Sequence, residues 1–161
     1  MRSHNLISMI AVVAVFGFGV LNAQATKQAE TEIVYKPGFD KEALQASLKA
    51  STDWLAIVDG SSYGQSWDQG ATIFKLTMPR EEWNTWLEKV RKPLGSIISR
   101  EIVDQRVSKD PKGLPKGDYM VLIYSTKFSS GKSANELITL QNEEGKWKVM
   151  GYYIKENSSG N

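Results

Sequence analysis

Carboxylates and tyrosines are the side chains of this sequence that are best suited to catalysis. The candidate acids are Asp68, Asp118 and Glu136, and the candidate hydroxyl donors are Tyr63, Tyr119, Tyr124 and Tyr152. Glu136 alternates with the apolar residues Ile138 and Leu140, which predicts that its side chain points into the interior. An acid in an apolar cavity beside tyrosine hydroxyls is suited to general acid–base catalysis. The same pattern also fits a buried carboxylate that is paired with an arginine.

Other catalytic side chains are scarce. The sequence has no Cys, and its one His is His4, in an N-terminal segment that we expect to be removed. Without imidazole and thiolate, the processed chain has no Ser–His pair and no soft metal site. It also lacks the acidic loop of a calcium site and the Gly-rich loop of a phosphate site. We therefore predict no catalytic residue of these classes, no metal and no cofactor.

Two groups of residues are candidates for a site. The first is a pocket lined by aromatic side chains and one acid: Tyr63, Trp67, Tyr119, Tyr124 and Glu136. The second is a structural ion pair of Arg100 with Glu136. Arg100 shares a strand face with Ile98 and Ile102, so its guanidinium is drawn toward the interior and needs an acceptor there.

The N-terminal segment has the order of parts of an export signal. Arg2 precedes an apolar stretch from Leu6 to Val20, and Ala23 and Ala25 suit cleavage by a signal peptidase. We predict a signal peptide at 1–25, a flexible tether at 26–38, a single α+β domain at 39–155 and a disordered tail at 156–161. The processed chain is then expected to be periplasmic or secreted, with no membrane span.

The charge pattern does not indicate a polyanionic partner. The chain has 20 Lys and Arg against 18 Asp and Glu, and loss of Arg2 with the leader leaves the two signs nearly balanced. The basic residues are spread along the sequence rather than clustered. We therefore predict no nucleic-acid partner, and we expect an unknown protein or a small apolar ligand instead.

Hydrophobic periodicity predicts three helices in the first half of the domain. One long helix is capped by Asp40 and ends at Asp59, and a short helix carries Tyr63 and Trp67. A second long helix has Pro79 in its first turn.

After Gly95 the pattern alternates with a period of two in four runs, 97–107, 118–128, 134–141 and 146–154. Short turns join these runs, which favours an antiparallel meander, and Gly151 indicates a bulge in the last one. The predicted fold is α+β, with two longer helices and one short helix packed on a strongly curved, cone-like sheet of four antiparallel strands.

A set of spaced residues resembles one protein family. They are Tyr63-x-x-Ser66-Trp67-Asp68, Trp83, Arg91-x-Pro93-Leu94-Gly95-x4-Arg100, Gly117-x-Tyr119-x-Val121-x2-Tyr124-x-Thr126-x-Phe128, Glu136 and Gly145-x-Trp147-x-Val149-x-Gly151-Tyr152. This pattern resembles the bacterial exported family catalogued as domain of unknown function 4019, and the resemblance covers the chain from about Ala43 to Ile154. The resemblance implies no assigned activity, and its layout of helices followed by a bent sheet is similar to the nuclear transport factor 2-like cone fold.

Three functions are open at this point. We expect a non-catalytic module that binds a protein or a small apolar ligand. One alternative is a small isomerase- or hydrolase-like enzyme that uses an Asp or Glu base and Tyr donors in the cone. The other is a structural homodimer that forms through the open face of the sheet.

Overall fold

The structure, a computed structural model, describes residues 40–157. Its elements, in chain order, are α1 (Lys41–Asp59), α2 (Tyr63–Asp68), α3 (Thr72–Thr77), α4 (Arg80–Val90), a 3-10 turn (Lys92–Leu94), β1 (Ile97–Lys109), β2 (Asp118–Phe128), β3 (Ser133–Glu143) and β4 (Lys146–Glu156). The predicted signal peptide at 1–25 and tether at 26–38 lie outside the described residues. No helix within 40–157 has the length and hydrophobicity that crossing a membrane requires.

The strands form one open antiparallel sheet in the order β1-β2-β3-β4. The predicted α+β class and the antiparallel meander are therefore confirmed, and the cone shape that the resemblance implies stays a prediction. β2 has the predicted bounds. β4 continues to Glu156, and the backbone N–H of Asn157 donates to the carbonyl of Ser133 at 2.8 Å. The sheet thus reaches into the segment predicted as a tail.

The helical region differs from the prediction at one point. Asp40 caps α1 by accepting from the backbone N–H of Glu42. Pro79, expected within a helix, instead precedes α4 at its cap position, where no side chain bonds the free N–H groups. The residues before it form the additional short helix α3. Phe74 is the one buried side chain of α3, so the sequence carries no apolar stripe from which this helix could be predicted.

Alternation along the strands gives the sheet two faces. The inner face carries Arg100, Ile102, Leu122, Tyr124, Thr126, Glu136, Ile138 and Tyr152, and the outer face carries Glu101, Asp104, Arg106, Val121, Ile123, Leu137, Thr139, Tyr153 and Lys155. Three register shifts interrupt the alternation, at Ile98 and Val103 in β1 and at Met150 in β4. The shift in β4 lies beside Gly151, where the sequence predicts a bulge.

Aromatic side chains fill the space between the helices and the inner face. The ring of Trp54 lies 5.5 Å from Tyr152 and 5.9 Å from Trp83, and Phe74 meets Trp83 edge-on at 5.0 Å. Ser66 of α2 accepts a hydrogen bond from each of two indoles. Its carbonyl accepts from Trp54 Nε1 at 2.8 Å, and its hydroxyl accepts from Trp83 Nε1 at 2.9 Å. One buried serine therefore joins α1, α2 and α4.

We expect Ser66→Ala to lower the free energy of unfolding by about 1–3 kcal/mol, because it leaves the buried Trp83 Nε1–H without an acceptor. The matched control is Ser62→Ala, at an exposed cap position whose side chain makes no capping hydrogen bond. Urea unfolding of both variants measures the difference. Equal stability of the two variants would contradict the assigned role of Ser66.

Candidate functional site

Glu136 lies at the centre of the inner face with none of its side chain exposed to solvent. Three groups donate to its carboxylate. The hydroxyl of Tyr152 donates to Oε1 at 2.6 Å, and Arg100 Nε donates to Oε2 at 2.8 Å. The hydroxyl of Thr126 also donates to Oε2. Both oxygens are thus engaged by the protein itself, an arrangement that holds a carboxylate in place.

Arg100 connects this carboxylate to helix α1. Its Nη1 and Nη2 atoms donate to the two carboxylate oxygens of Asp59 at 2.8 and 3.0 Å, which is a bidentate contact. Asp59 is the last residue of α1, and Arg100 lies near the start of β1. A single guanidinium therefore binds one carboxylate on the sheet and another at the end of a helix.

Arg91 adds a second cation at the end of α4. Its Nη2 donates to Asp59 Oδ1 at 2.9 Å, and its Nη1 donates to the carbonyl of Gly95 at 2.8 Å. Its guanidinium carbon lies 4.5 Å from the ring centroid of Phe128, within the range of a cation–π contact. Asp59, Arg91, Arg100 and Glu136, here called the buried charge network, contain two cations and two anions, so their formal charges cancel.

The network changes the electrostatics of its members. Burial alone lowers the pKa of the Arg100 guanidinium, but the hydrogen bond to Asp59 and the charges of Glu136 and Asp59 outweigh it and raise the pKa. Burial raises the pKa of the Tyr152 hydroxyl well above its usual value, and the charge of Glu136 raises it further. Both effects favour a charged Arg100 and a neutral Tyr152, the states that these hydrogen bonds require.

The five residues proposed as a pocket lie in three different places. Tyr124 faces Glu136 across β2 and β3, and its hydroxyl bonds that of Ser51 in α1. Tyr63 and Trp67 lie on α2, where Trp67 Nε1 donates to the carbonyl of Met78. Tyr119 is on the opposite face from Tyr124, and its hydroxyl donates to the carbonyl of Pro115 at 2.7 Å.

The two other candidate acids are not part of the network. Asp68 is exposed and pairs with Arg80 at 3.2 Å. Asp118 opens β2, half-buried. Within residues 40–157, no three Asp, Glu, His or Cys side chains converge as the ligands of a metal would.

Reasoning from the sequence missed Asp59 as a partner of Arg100. One signal was present, because an acidic residue at the C-terminal end of a helix is opposed by the helix dipole. Such a residue is expected to have a cation nearby, and here it has two. Thr126 was likewise missed, although its place on the inner face of β2 follows from strand alternation.

We expect Arg100→Met and Glu136→Leu each to lower the free energy of unfolding by about 3–5 kcal/mol. The first variant leaves the buried Glu136 without a cation, and the second leaves the largely buried Arg100 with one anion fewer. The double variant is expected to lose much less than the sum, since it removes both charges. Chemical denaturation of the four proteins in this cycle measures the coupling. A matching cycle on the exposed pair Arg80 and Asp68 should show at most about 1 kcal/mol. Additive effects at Arg100 and Glu136 would refute the pairing.

We also expect the free energy of unfolding to fall above about pH 10, the pKa of tyrosine in an unfolded chain, because of Tyr152. Its pKa is raised in the folded state, so the folded protein holds the hydroxyl proton more tightly than the unfolded chain does. The stability that Tyr152 contributes in this way is complete below the unfolded pKa and is lost as pH rises toward the folded pKa. Tyr152→Phe removes the contribution, so its unfolding free energy should decline less steeply from about pH 9.5 to 11. Tyr153→Phe, on the outer face, is the control. Identical slopes in Tyr152→Phe and the parent protein would contradict the effect.

Comparison with known proteins identifies a family. A family model matches residues 50–152, and its description is Protein of unknown function (DUF4019). The matched interval contains all four members of the buried charge network and ends at Tyr152. A search of curated proteins finds no match. Because the family match covers more than half of the chain, the protein belongs to the DUF4019 family.

Proposed function

We propose that this protein is a non-catalytic binding module that works after export, in the periplasm or outside the cell, and binds a protein through the outer face of its sheet. The export part rests on the residue order of 1–25, with Arg2 ahead of an apolar stretch and small residues at the cleavage site. The binding part rests on the difference between the two faces of the sheet.

The observation that carries the proposal is an apolar row at the surface of the outer face. Ile123, Leu137 and Tyr153 lie side by side on β2, β3 and β4. Tyr153 is 47% exposed, and Ile123 and Leu137 are half-buried. Contiguous apolar side chains at a surface are typical of interaction sites.

The state of Glu136 supports a non-catalytic role. A general base needs an oxygen that can meet the substrate, whereas both oxygens of this buried carboxylate accept hydrogen bonds from protein groups. The hydroxyl of Tyr124, another candidate donor, is bonded to Ser51. An isomerase- or hydrolase-like reaction at Glu136 would have to break these contacts first.

The shape of the two faces favours a protein over a small ligand. Small-molecule sites are concave and enclose most of the ligand. The inner face, the side on which the helices pack, is filled by Trp54, Phe74, Trp83 and Tyr152, each at most 3% exposed. The outer face is the broad side of a sheet, which suits contact with another macromolecule.

Site-specific photo-crosslinking in living cells tests this function. With a photoreactive residue in place of Tyr153, we expect discrete crosslinked species that contain this chain. The control position is Leu76 on α3, which is 81% exposed and lies off the sheet, and it should give none of these species. No adduct at position 153, or the same adducts at both positions, would contradict binding through the outer face.

A further inference from the structure

We propose that the partner on the outer face is a second copy of this chain, related to the first by a two-fold axis that runs nearly along the strands. This inference rests on the proposed binding through the outer face and adds the identity of the partner. The evidence is the distribution of charge across the face.

On β2, β3 and β4 the centre of the outer face has no charged side chain. Ile123, Leu137 and Tyr153 form one row, and Val121, Thr139 and Gly151 form the next. On β1 these two rows continue with Asp104 and Arg106, whose charges pair with each other at 2.8 Å. Val121 and Thr139 are already buried within the chain, so the accessible apolar surface is concentrated in the row that ends at Tyr153. An uncharged centre meets the first requirement of a sheet-on-sheet interface.

Opposite charges flank this centre at the two edge strands. Glu101 on β1, Ser125 on β2, Asn135 on β3 and Lys155 on β4 form one cross-strand row. Both Glu101 and Lys155 are exposed, and neither forms an ion pair with another residue between 40 and 157. The face therefore has an acidic end and a basic end within the same row.

Face-to-face sheets pack with their strands nearly aligned, which leaves two directions for a two-fold axis in the interface. An axis along the strands places β1 over the partner's β4, so Glu101 meets the partner's Lys155 at both ends of the dimer. An axis across the strands places β4 over the partner's β4 and brings Lys155 toward the partner's Lys148. The charges favour the first arrangement, because only that one gives Glu101 and Lys155 an opposite charge.

The size of the face predicts a reversible dimer. Strands about 4.8 Å apart and residues about 3.4 Å apart along them give the four strands a plane of roughly 20 by 25 Å, or about 500 Å². This area is an upper bound, because Tyr119, Val121, Thr139 and Gln141 on the same face are already buried within the chain. A stable interface of standard size buries about 800 Å² on each partner. We therefore expect a monomer–dimer equilibrium that shifts with protein concentration and weakens with salt.

Charge reversal followed by mixing tests the proposed dimer. Sedimentation velocity of the processed protein should show concentration-dependent dimers, and either Glu101→Lys or Lys155→Glu should weaken self-association by about tenfold or more, because each places like charges opposite one another twice. An equimolar mixture of the two variants should form heterodimers with the same dissociation constant as the homodimer of the parent protein, since both contacts then join opposite charges. The double reversal in one chain should restore the homodimer.

Lys112→Glu and Glu144→Lys, at exposed positions in the β1–β2 and β3–β4 turns, lie outside the row of Glu101 and Lys155; they are the control pair and should leave association unchanged. Unfolding midpoints establish that all variants fold. Monomers at every concentration would overturn the proposal. So would dimers whose association is unchanged by both charge reversals and that form no preferred heterodimer. In those cases a crosslink from position 153 to a different protein would still support the proposed function, so the two failures are distinguishable.

Discussion

A carboxylate with no exposed surface is the constraint on which much of this structure depends. Removing Glu136 from water costs several kcal/mol unless cations and hydrogen bonds replace the lost hydration. Arg100 supplies the cation, and because Arg100 is itself largely buried, it needs a second anion. Asp59 is that anion, and Arg91 balances it in turn. Each member of the buried charge network is therefore required by the one before it.

The network determines how the helices are attached to the sheet. Asp59 ends α1 and Arg91 follows α4, so both helix ends are held where Arg100 crosses from β1 toward β3. The aromatic cluster around Trp83 fills the remaining space on the inner face. The charge network and the aromatic cluster thus lie on the inner side of the sheet, and the exposed part of the outer face around Tyr153 is left to carry the proposed binding function.

Local patterns were sufficient to predict the strands and the capped start of α1, because alternation and capping depend on residues close together in the sequence. The interior placement of Arg100 and Glu136 follows from the same alternation. Alternation also separates Tyr119 from Tyr124, since five positions along one strand lead to opposite faces. The contact between Asp59 and Arg100 joins residues 41 positions apart, so no local pattern indicates it, and only the helix dipole marks Asp59 as needing a cation.

The free energy of unfolding of Arg100→Lys tests most directly whether this guanidinium joins α1 to the sheet. Lysine keeps the positive charge but cannot make a bidentate contact with Asp59 and a third contact with Glu136 at once. We expect Arg100→Lys to lose more than half of the stability that Arg100→Met loses. A stability within about 0.5 kcal/mol of the parent protein, the range of an ordinary surface substitution, would show that charge alone is sufficient and would contradict the assigned role of Arg100.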